Sequence, residues 1–209
     1  MSEEAHNTLF LADHVKCTYE ARYGTRNNFI GPMTNNLNFG VDADANHALA
    51  ILRASELDQS AVSDEPIVPG VFLSFDPESG TTGQIRSNAN RLLNFTGQAA
   101  RPARWLSLNI KLGACDLSQS SIFGFVCKTR SDVTMSFNAC LRSGLGDGFS
   151  DVFFGKRIVS FNQPSTHVDL FKLDERDDIP LKANWRELLL FFPTELEQID
   201  LVDLRLFVV

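Results

Sequence analysis

Apolar and polar residues alternate with a period of two through the second half of the chain, and this pattern restricts the fold more than any other feature. In Trp105–Leu112, one face carries Leu106, Leu108, Ile110 and Leu112, and the other carries Ser107, Asn109 and Lys111. Such alternation is typical of a half-buried strand. Further strands are predicted at 121–128, 133–141, 151–161, 166–173, 187–192 and 201–209. Short strands separated by turn residues predict an antiparallel sandwich or barrel.

The first half of the chain has a different character, because it is rich in Asn, Ala and Gly and its strand signals are scattered. His47–Ala54 is the best helix candidate, with Asn46 as its cap and 42–46 as a preceding turn. Val71–Phe75 predicts a strand, followed by a turn at 76–80. We therefore treat 1–209 as one β-sandwich domain. Its loop-rich N-terminal part, 1–104, holds one or two strands, and 105–209 holds the main run of strands.

Charge and hydropathy exclude several classes of partner. The 209 residues carry a formal net charge of −7, whereas nucleic acids and anionic membranes bind basic surfaces. No apolar run approaches the roughly 18 residues that a membrane helix needs. The first residues form neither the basic nor the apolar region of a classical signal peptide. We expect a cytoplasmic protein that binds neither nucleic acid nor membrane, and we leave open export by a non-classical route or inside a particle.

Sequence motifs of enzyme active sites are missing. The chain contains no G-x-S-x-G, H-E-x-x-H or Walker loop, and Gly144–Gly148 lies between two predicted strands, where it predicts a turn. The four cysteines lack a zinc spacing; we expect small buried hydrophobes, with a disulfide as the alternative. Only His14 with its neighbours, and His167 with Asp169, place catalytic residue types side by side. A non-catalytic protein is the favoured interpretation, and an enzyme with a dispersed active site is an alternative.

The last quarter of the chain carries a resemblance to a known family. A strand at Thr166–Leu173, a polar loop, a strand opened by a tryptophan at Trp185–Phe192, and a last strand at Ile199–Phe207 follow one another. This order resembles the closing strands of galactose-binding-like β-jelly rolls, the fold of many carbohydrate-binding modules. The resemblance covers about residues 105–209 and implies an all-β, antiparallel sandwich of jelly-roll type, with a short helix and long loops in the N-terminal half. It also implies a non-catalytic protein that recognises a glycan.

The resemblance also implies a metal site. Related jelly rolls often hold a structural calcium whose ligands include the aspartate of the last strand, here Asp203. Carboxylates in a loop at strand ends suit a hard cation, and acidic residues crowd at 174–178 and 195–197. No D-x-D-x-D-G spacing accompanies them, so a solvated loop is the alternative. No other cofactor is indicated.

A second group of candidate residues concerns the glycan. A pyranose needs an exposed aromatic ring that stacks on its C–H face, and polar side chains that bond its hydroxyls. The most binding-like cluster of the sequence joins Tyr19 and Tyr23 to Arg22, Asn27 and Asn28. We assign stacking to the two tyrosines and hydroxyl binding to the arginine and the asparagines.

The tryptophans and phenylalanines complete the candidates. Trp105 and Trp185 each open a predicted strand after a polar loop, so each is either a stacking platform or part of the rim of the core. We assign a stacking role to Trp185. The 17 phenylalanines are expected to lie mostly in the sandwich interior.

Self-assembly is the second functional hypothesis. The same sandwich suits a structural homo-oligomer, such as a subunit of a phage-like or surface particle, in which the Asn-rich N-terminal arm packs on a neighbour. Sugar-binding modules usually travel attached to secreted enzymes, and no signal peptide or linker to a catalytic domain is evident here. A particle subunit predicts an oligomer with a large apolar interface.

Overall fold

Alternating side chains divide each strand between a packed interior and an outer surface, and this division organises the fold. The computed structural model describes residues 40–88 and 91–209. The chain divides into two units at residue 35, and all of the described residues belong to the second. The division of the chain into domains stays a prediction.

One α-helix and thirteen strands make up the regular structure of the described residues. The first half contains α1 (Val41–Ala54), β1 (Leu57–Ser60), β2 (Pro66–Val68), β3 (Val71–Phe75), β4 (Thr82–Asn88) and β5 (Arg91–Gln98). The second half contains β6 (Leu106–Gly113), β7 (Ile122–Arg130), β8 (Met135–Leu145), β9 (Gly148–Phe153), β10 (Ile158–Ser160), β11 (Ser165–Lys172), β12 (Trp185–Phe191) and β13 (Gln198–Val208).

The strands form two antiparallel sheets. The six-stranded sheet has the order β1-β4-β5-β13-β7-β11. The seven-stranded sheet has the order β10-β8-β12-β6-β3-β2, and its remaining strand, β9, pairs with β8. This is the all-β, antiparallel sandwich of jelly-roll type, with one short helix, that the sequence predicts.

The two sheets enclose one apolar core. The seven-stranded sheet contributes Leu108, Ile110, Leu188 and Leu190, and the six-stranded sheet contributes Phe123, Phe125, Leu204 and Leu206. Each is at most 3% exposed, and burial of such a side chain stabilises a fold by roughly 1.5–3 kcal/mol. The opposite residues of the same strands therefore form the outer face of each sheet.

Helix α1 covers an open edge of β13. Strand β5 pairs with β13 only as far as Leu201, which leaves the next residues of that edge without a strand partner. The side-chain amide of Asn46 donates to the carbonyl of Leu206 at 2.9 Å and accepts from its N–H at 2.9 Å. The carboxylate of Asp42 accepts from the N–H of Val208 at 2.7 Å. The helix thus satisfies backbone groups that a strand would otherwise pair.

The helix begins earlier than its sequence predicts. It starts at Val41 rather than His47, so the turn expected at 42–46 is wrong, and Asn46 is not the cap. Asp42 and Asp44 lie in the first turn, where negative charge is favourable to the helix dipole. The polar residues that suggested a turn instead serve the helix N-terminus and the edge of β13.

Two strand predictions also differ from the structure. Five strands lie between Leu57 and Gln98, where one or two were expected, because strands such as β4 carry mostly small and polar residues. The strand predicted at 151–161 is broken into β9 and β10. The predicted strand at Val71–Phe75 is confirmed, and the turn that follows is a single 3-10 turn at Pro77–Ser79.

Candidate functional site

The outer face of the seven-stranded sheet carries the most ligand-like surface of the described residues. In β12, Leu188 and Leu190 point into the core, so Trp185, Glu187 and Phe191 point outward. The register of β12 with β8 and with β6 then determines which residues of those two strands lie on the same outer face.

Six aromatic side chains belong to this face. They run across the sheet from β9 to β3, and we call the surface they form the aromatic face. Its rings are Phe72 on β3, Trp105 just before β6, Phe149 and Phe153 on β9, and Trp185 and Phe191 on β12.

Trp185 occupies a gap that a glycine leaves open. It pairs in register with Gly144 of β8, and a Cβ built on Gly144 would overlap the indole. Only glycine therefore allows the indole to lie so close to the strand. The side chain of Trp185 is 38% exposed, so part of the ring remains open to a ligand. On the other side of Gly144, Phe149 is paired in register and is 57% exposed.

A second aromatic group lies further along the same strands. Phe153 is in register with Cys140 and Phe191 with Asn138. The two ring centroids are 5.7 Å apart and the rings are tilted by 34°, which is within the range of favourable aromatic pairs. Phe153 is 49% exposed, so this pair also presents apolar surface to solvent.

A charged pair separates the two aromatic groups. Arg142 donates from Nε and Nη2 to the two carboxylate oxygens of Asp151, each at 2.7 Å. These bonds raise the pKa of the Arg142 guanidinium above its ordinary value. The same guanidinium lies 4.1 Å from the centroid of the Phe149 ring. Both side chains of the pair are about one quarter exposed, so they remain within reach of a ligand.

The other end of the aromatic face is also built from rings and cations. The ammonium of Lys111 lies 5.6 Å from the centroid of the Phe72 ring. The indole N–H of Trp105 donates to the hydroxyl of Ser74 at 3.3 Å, and the guanidinium of Arg104 lies 5.3 Å from the ring. These contacts hold the rings in place across β3 and β6.

Polar side chains lie between the rings. The hydroxyl of Ser107 donates to Oδ1 of Asn109 at 2.8 Å, and both residues are buried. Glu187 and Asn138 are half-buried and point to the same side as the rings. A cavity of about 460 Å³ adjoins the beginning of β8, and Ser136 is one of the residues that line it. The face thus offers hydrogen-bonding groups beside apolar rings, the composition that small-molecule sites commonly show.

Of the predicted glycan-binding residues, the structure describes only Trp185. The cluster of Tyr19, Arg22, Tyr23, Asn27 and Asn28 lies outside the described residues, so its role stays a prediction. Trp185 lies on the aromatic face, exposed as a stacking platform requires.

Sequence reasoning missed the phenylalanines of the aromatic face. The expectation that phenylalanine lies mostly inside misses Phe149 and Phe153, which are both exposed. The alternation within Gly148–Phe153 could have indicated their exposure. Both rings lie on the same side of the strand as Asp151, whereas Val152 points into the core. The predicted strand began only at Asp151 and therefore hid this alternation.

Asp203, the predicted calcium ligand, is engaged by arginines. Its Oδ1 accepts from Nη2 of Arg53 at 2.9 Å, and its Oδ2 accepts from Nε of Arg205 at 2.9 Å. Burial acts to raise the pKa of this carboxyl, but the two guanidiniums outweigh it and hold the pKa below its ordinary value. Within 40–88 and 91–209, no group of three or more His, Cys, Asp or Glu side chains is arranged to hold a metal ion. The calcium role of Asp203 stays a prediction that these contacts do not support.

His167 and Asp169 lie on the same side of β11, where His167 is half-buried and Asp169 is buried. The ring of His167 lies 5.7 Å from that of Phe125, and the carboxylate of Asp169 accepts from the backbone N–H groups of Lys156 and Leu170. Cys115, Cys127 and Cys140 are buried free thiols, as expected from the sequence. Among the described helices, none has the length and apolarity to cross a membrane.

Comparison with solved structures finds carbohydrate-binding modules. The CBM22-1 xylan-binding domain from Paenibacillus barcinonensis Xyn10C is 8% identical, with 74% of this chain and 96% of that chain covered and a TM-score of 0.48. The family 11 module from Clostridium thermocellum, in complex with a β-1,3-1,4-mixed-linked tetrasaccharide, is 11% identical, with 73% and 97% covered and a TM-score of 0.49. A CBM4 structure is 13% identical, with 72% and 95% covered and a TM-score of 0.49.

No protein-family model and no curated protein sequence matches the chain. The chain is similar in fold to these jelly rolls of the carbohydrate-binding-module type. At these identities and TM-scores, nothing about a ligand or a site follows from it.

Proposed function

We propose that the protein binds a glycan on the aromatic face. The observation that carries this proposal is the placement of exposed rings beside half-buried polar groups on one outer sheet face, with Trp185 seated over Gly144. A sheet face that needed only solubility would carry polar residues at these positions. Exposed apolar surface rimmed by polar groups marks binding sites.

The chemistry of the face suits a sugar. Trp185 presents a flat apolar surface for the C–H face of a pyranose ring, and Phe153 with Phe191 presents a second one. Glu187, Asn138 and the Arg142–Asp151 pair supply donors and acceptors for hydroxyl groups. Because Arg142 and Asp151 already hold each other rigidly, a ligand meets them without a large loss of side-chain entropy.

The charges of the face favour a neutral saccharide. Arg142 is paired with Asp151, and Arg104 with Asp76. Glu187 stands opposite Lys111 in register, so the charges of these three pairs cancel. An anionic sugar would need an excess of cations to offset its desolvation. We therefore expect neutral hexose or pentose chains to bind better than uronates or sulfated sugars.

The separation of the two aromatic groups favours a chain of several sugars. Trp185 is in register with Gly144, and Phe153 with Cys140. Four residues of an antiparallel strand span about 14 Å. A pyranose ring in a chain is ~5 Å long, if it is built from bonds of about 1.5 Å. An oligosaccharide of about three rings laid along the strands would therefore reach both groups.

Titration with saccharides of increasing length tests the proposal. Trp105→Phe leaves Trp185 as the only tryptophan of the chain, so fluorescence then reports on the proposed platform directly. We expect neutral oligosaccharides to change this emission, with affinity rising from disaccharide to tetrasaccharide. Trp185→Ala and Phe153→Ala should each weaken binding about tenfold or more, as measured by calorimetry.

A matched variant controls for general effects of removing an exposed apolar side chain. Val168→Ala lies on the six-stranded sheet, and Val168 is 47% exposed, close to the 49% of Phe153. It should leave binding unchanged. Binding that survives Trp185→Ala and Phe153→Ala but is lost in Tyr23→Ala would move the site to the N-terminal cluster and contradict the proposal for the aromatic face.

A further inference from the structure

Strand β9 forms an edge of the seven-stranded sheet. At every second residue, its backbone N–H and C=O groups point away from β8, in the plane of the sheet. The N–H of Phe154 donates to the carbonyl of Ala139 at 3.0 Å. In an antiparallel pair, residues that bond the neighbouring strand alternate with residues that face away from it. The register of β8 with β9 therefore turns the backbone groups of Phe149, Asp151 and Phe153 away from β8. Among the described residues, no strand pairs with this side of β9.

Other edges of the two sheets are protected. Proteins block exposed edges with prolines, irregular register, short strands or covering segments, because an open edge recruits further strands. Strand β2 begins with Pro66 and has an irregular register with β3. Strand β1 spans only Leu57–Ser60. The open stretch of β13 is covered by α1 through Asn46 and Asp42.

The edge of β11 is covered by the segment that precedes β10. The backbone N–H of Lys156 donates to the carboxylate of Asp169 at 2.8 Å, and its ammonium reaches the carbonyl of Val168 at 3.5 Å. A lysine at an edge also repels an incoming strand by its charge and hydration. This edge is therefore closed to strand addition.

Strand β9 lacks each of these protections. It contains no proline or lysine, and two of its three outward-facing residues are Phe149, 57% exposed, and Phe153, 49% exposed. Its one charged residue, Asp151, is neutralised by Arg142 within the same sheet. An exposed, apolar edge of this kind is a site for strand pairing.

We propose that β9 pairs with β9 of a second copy of this chain in an antiparallel, two-fold symmetric dimer. Only one centre of symmetry pairs all three outward-facing residues, and it lies at Asp151. Phe149 then stands opposite Phe153 of the second copy, and Asp151 stands opposite Asp151. Each of the three pairs exchanges two backbone hydrogen bonds. Two aromatic cross-strand pairs form on the same face, and such pairs stabilise a sheet.

The self-complementarity of β9 is what selects a second copy as the partner. A rotation of β9 by 180° about Asp151 places its two phenylalanine rings, and its outward-facing backbone groups, opposite the matching groups of the second copy. The facing aspartates each keep their Arg142, so the centre of the dimer holds two acids and two guanidiniums rather than two unpaired charges. A pairing of six residues a side is smaller than a standard interface, so the dimer should be weak and dependent on concentration.

Dimerisation would also join the two aromatic faces. A two-fold axis perpendicular to the sheet keeps the outer faces of both copies on the same side. If the aromatic face binds a glycan, as proposed above, two sites would then lie side by side, and a polymeric ligand would engage both with increased avidity. The dimer itself is measured without saccharide, so its outcome is independent of glycan binding.

Sedimentation of the full chain over a range of concentrations tests the dimer. We expect a monomer–dimer equilibrium that Phe153→Lys shifts at least tenfold toward monomer, and that Val168→Lys leaves unchanged. Hydrogen exchange should show the amides of Phe149, Asp151 and Phe153 becoming protected as concentration rises. A monomer at every concentration, or a dimer that Phe153→Lys leaves intact, would overturn the proposal.

Engineered cysteines test the register. Residues of a hydrogen-bonded pair have Cα atoms about 5.5 Å apart, within reach of a disulfide. In a Cys17→Ser background, a mixture of Phe149→Cys and Phe153→Cys chains should cross-link on mild oxidation, whereas each chain alone should not. Cross-linking of either chain alone, or none in the mixture, would contradict the pairing about Asp151.

Discussion

The indole of Trp185 lies over Gly144 of the neighbouring strand, at a position where any Cβ would collide with the ring. The two residues are far apart in sequence, and only the register of β12 with β8 brings them together. The glycine lets the ring lie close to the sheet. On the other side of Gly144, Phe149 of β9 is paired in register, and its ring lies 4.1 Å from the guanidinium of Arg142. The position of the ring thus depends on the absence of a side chain beneath it.

Gly144→Ala should therefore displace Trp185 without removing it. We expect a loss of stability of about 1–3 kcal/mol from the overpacked methyl group. Glycan affinity should fall about tenfold, equivalent to 1.4 kcal/mol. Urea denaturation and calorimetric titration measure the two effects. Gly155→Ala is the matched control, because nothing lies within 4 Å of its Cβ. Unchanged binding by Gly144→Ala would show that the position of the indole does not matter.

The sequence predicts the sandwich because its strongest signal, alternation, is also what determines which residues face the core. The run Leu106–Leu112 places its leucines and isoleucine inside as expected. Alternation fails for β4, because Ile85 is the one apolar core residue within Thr82–Asn88. The neighbouring strand β5 supplies the other apolar core residues of this strand pair. Such a strand is stabilised by its neighbours rather than by its own pattern.

Of the residues on the aromatic face, only Trp185 could be predicted from the sequence as part of a site. Trp185 is conspicuous in the sequence, because tryptophan after a polar loop suggests a platform. Phe149 and Phe153 are not, because phenylalanine is commonly buried. Their exposure follows from the hairpin of β8 and β9, in which Val152 faces the core. Register between distant strands, which no local pattern encodes, assembles the rest.

Arg186 is a buried cation, and its removal should destabilise the fold. Its side chain is fully buried and donates to the carbonyls of Cys115 and Pro180 and to the hydroxyl of Ser143. Arg186→Met leaves these acceptors without a donor, and we expect a loss of about 3 kcal/mol in the free energy of unfolding. Urea denaturation measures the change.

The control for Arg186→Met is an exposed arginine. Arg205 pairs with Asp203, and its side chain is 61% exposed. Arg205→Met should change stability by less than about 1 kcal/mol, because exposed ion pairs contribute little. Equal losses in the two variants would show that burial of Arg186 has no special role.

His167 should make the fold less stable in mild acid. Burial lowers the pKa of its imidazole, while Asp169 acts to raise it and Lys156 to lower it further. The unfolded chain has a histidine pKa of about 6.5, so below that pH the unfolded state binds more protons than the folded state. The free energy of unfolding should therefore fall as pH decreases below about 6.5, and should be insensitive to this group at higher pH.

Comparison with a variant isolates the contribution of His167. His167→Gln cannot gain a proton in this range, so its stability should decline less than that of the original chain between pH 7.5 and 5.5. All other titrating groups are shared and cancel in the difference. Parallel pH profiles for the two proteins would contradict the prediction.

The side-chain amide of Asn46 should replace the two backbone hydrogen bonds that a neighbouring strand would make to Leu206. It supplies one donor and one acceptor to the backbone of that residue, each at 2.9 Å. Asn46→Ala leaves both backbone groups unpaired, and we expect a loss of about 2 kcal/mol and faster hydrogen exchange at the amide of Leu206. Asp44→Ala, at an exposed position of the same helix, is the control. It removes only a favourable charge near the helix N-terminus, so it should cost less than about 1 kcal/mol and should leave exchange at the amide of Leu206 unchanged.

Asn46→Asp separates the two halves of this interaction. Its carboxylate keeps an acceptor for the N–H of Leu206 but removes the donor to the carbonyl, and it places negative charge near that oxygen. Stability should therefore fall while the amide of Leu206 remains protected. Equal exchange rates at Leu206 in Asn46→Ala and Asn46→Asp would mean that the amide is protected by something other than this side chain, and that α1 does not close the edge of β13 in the way its hydrogen bonds indicate.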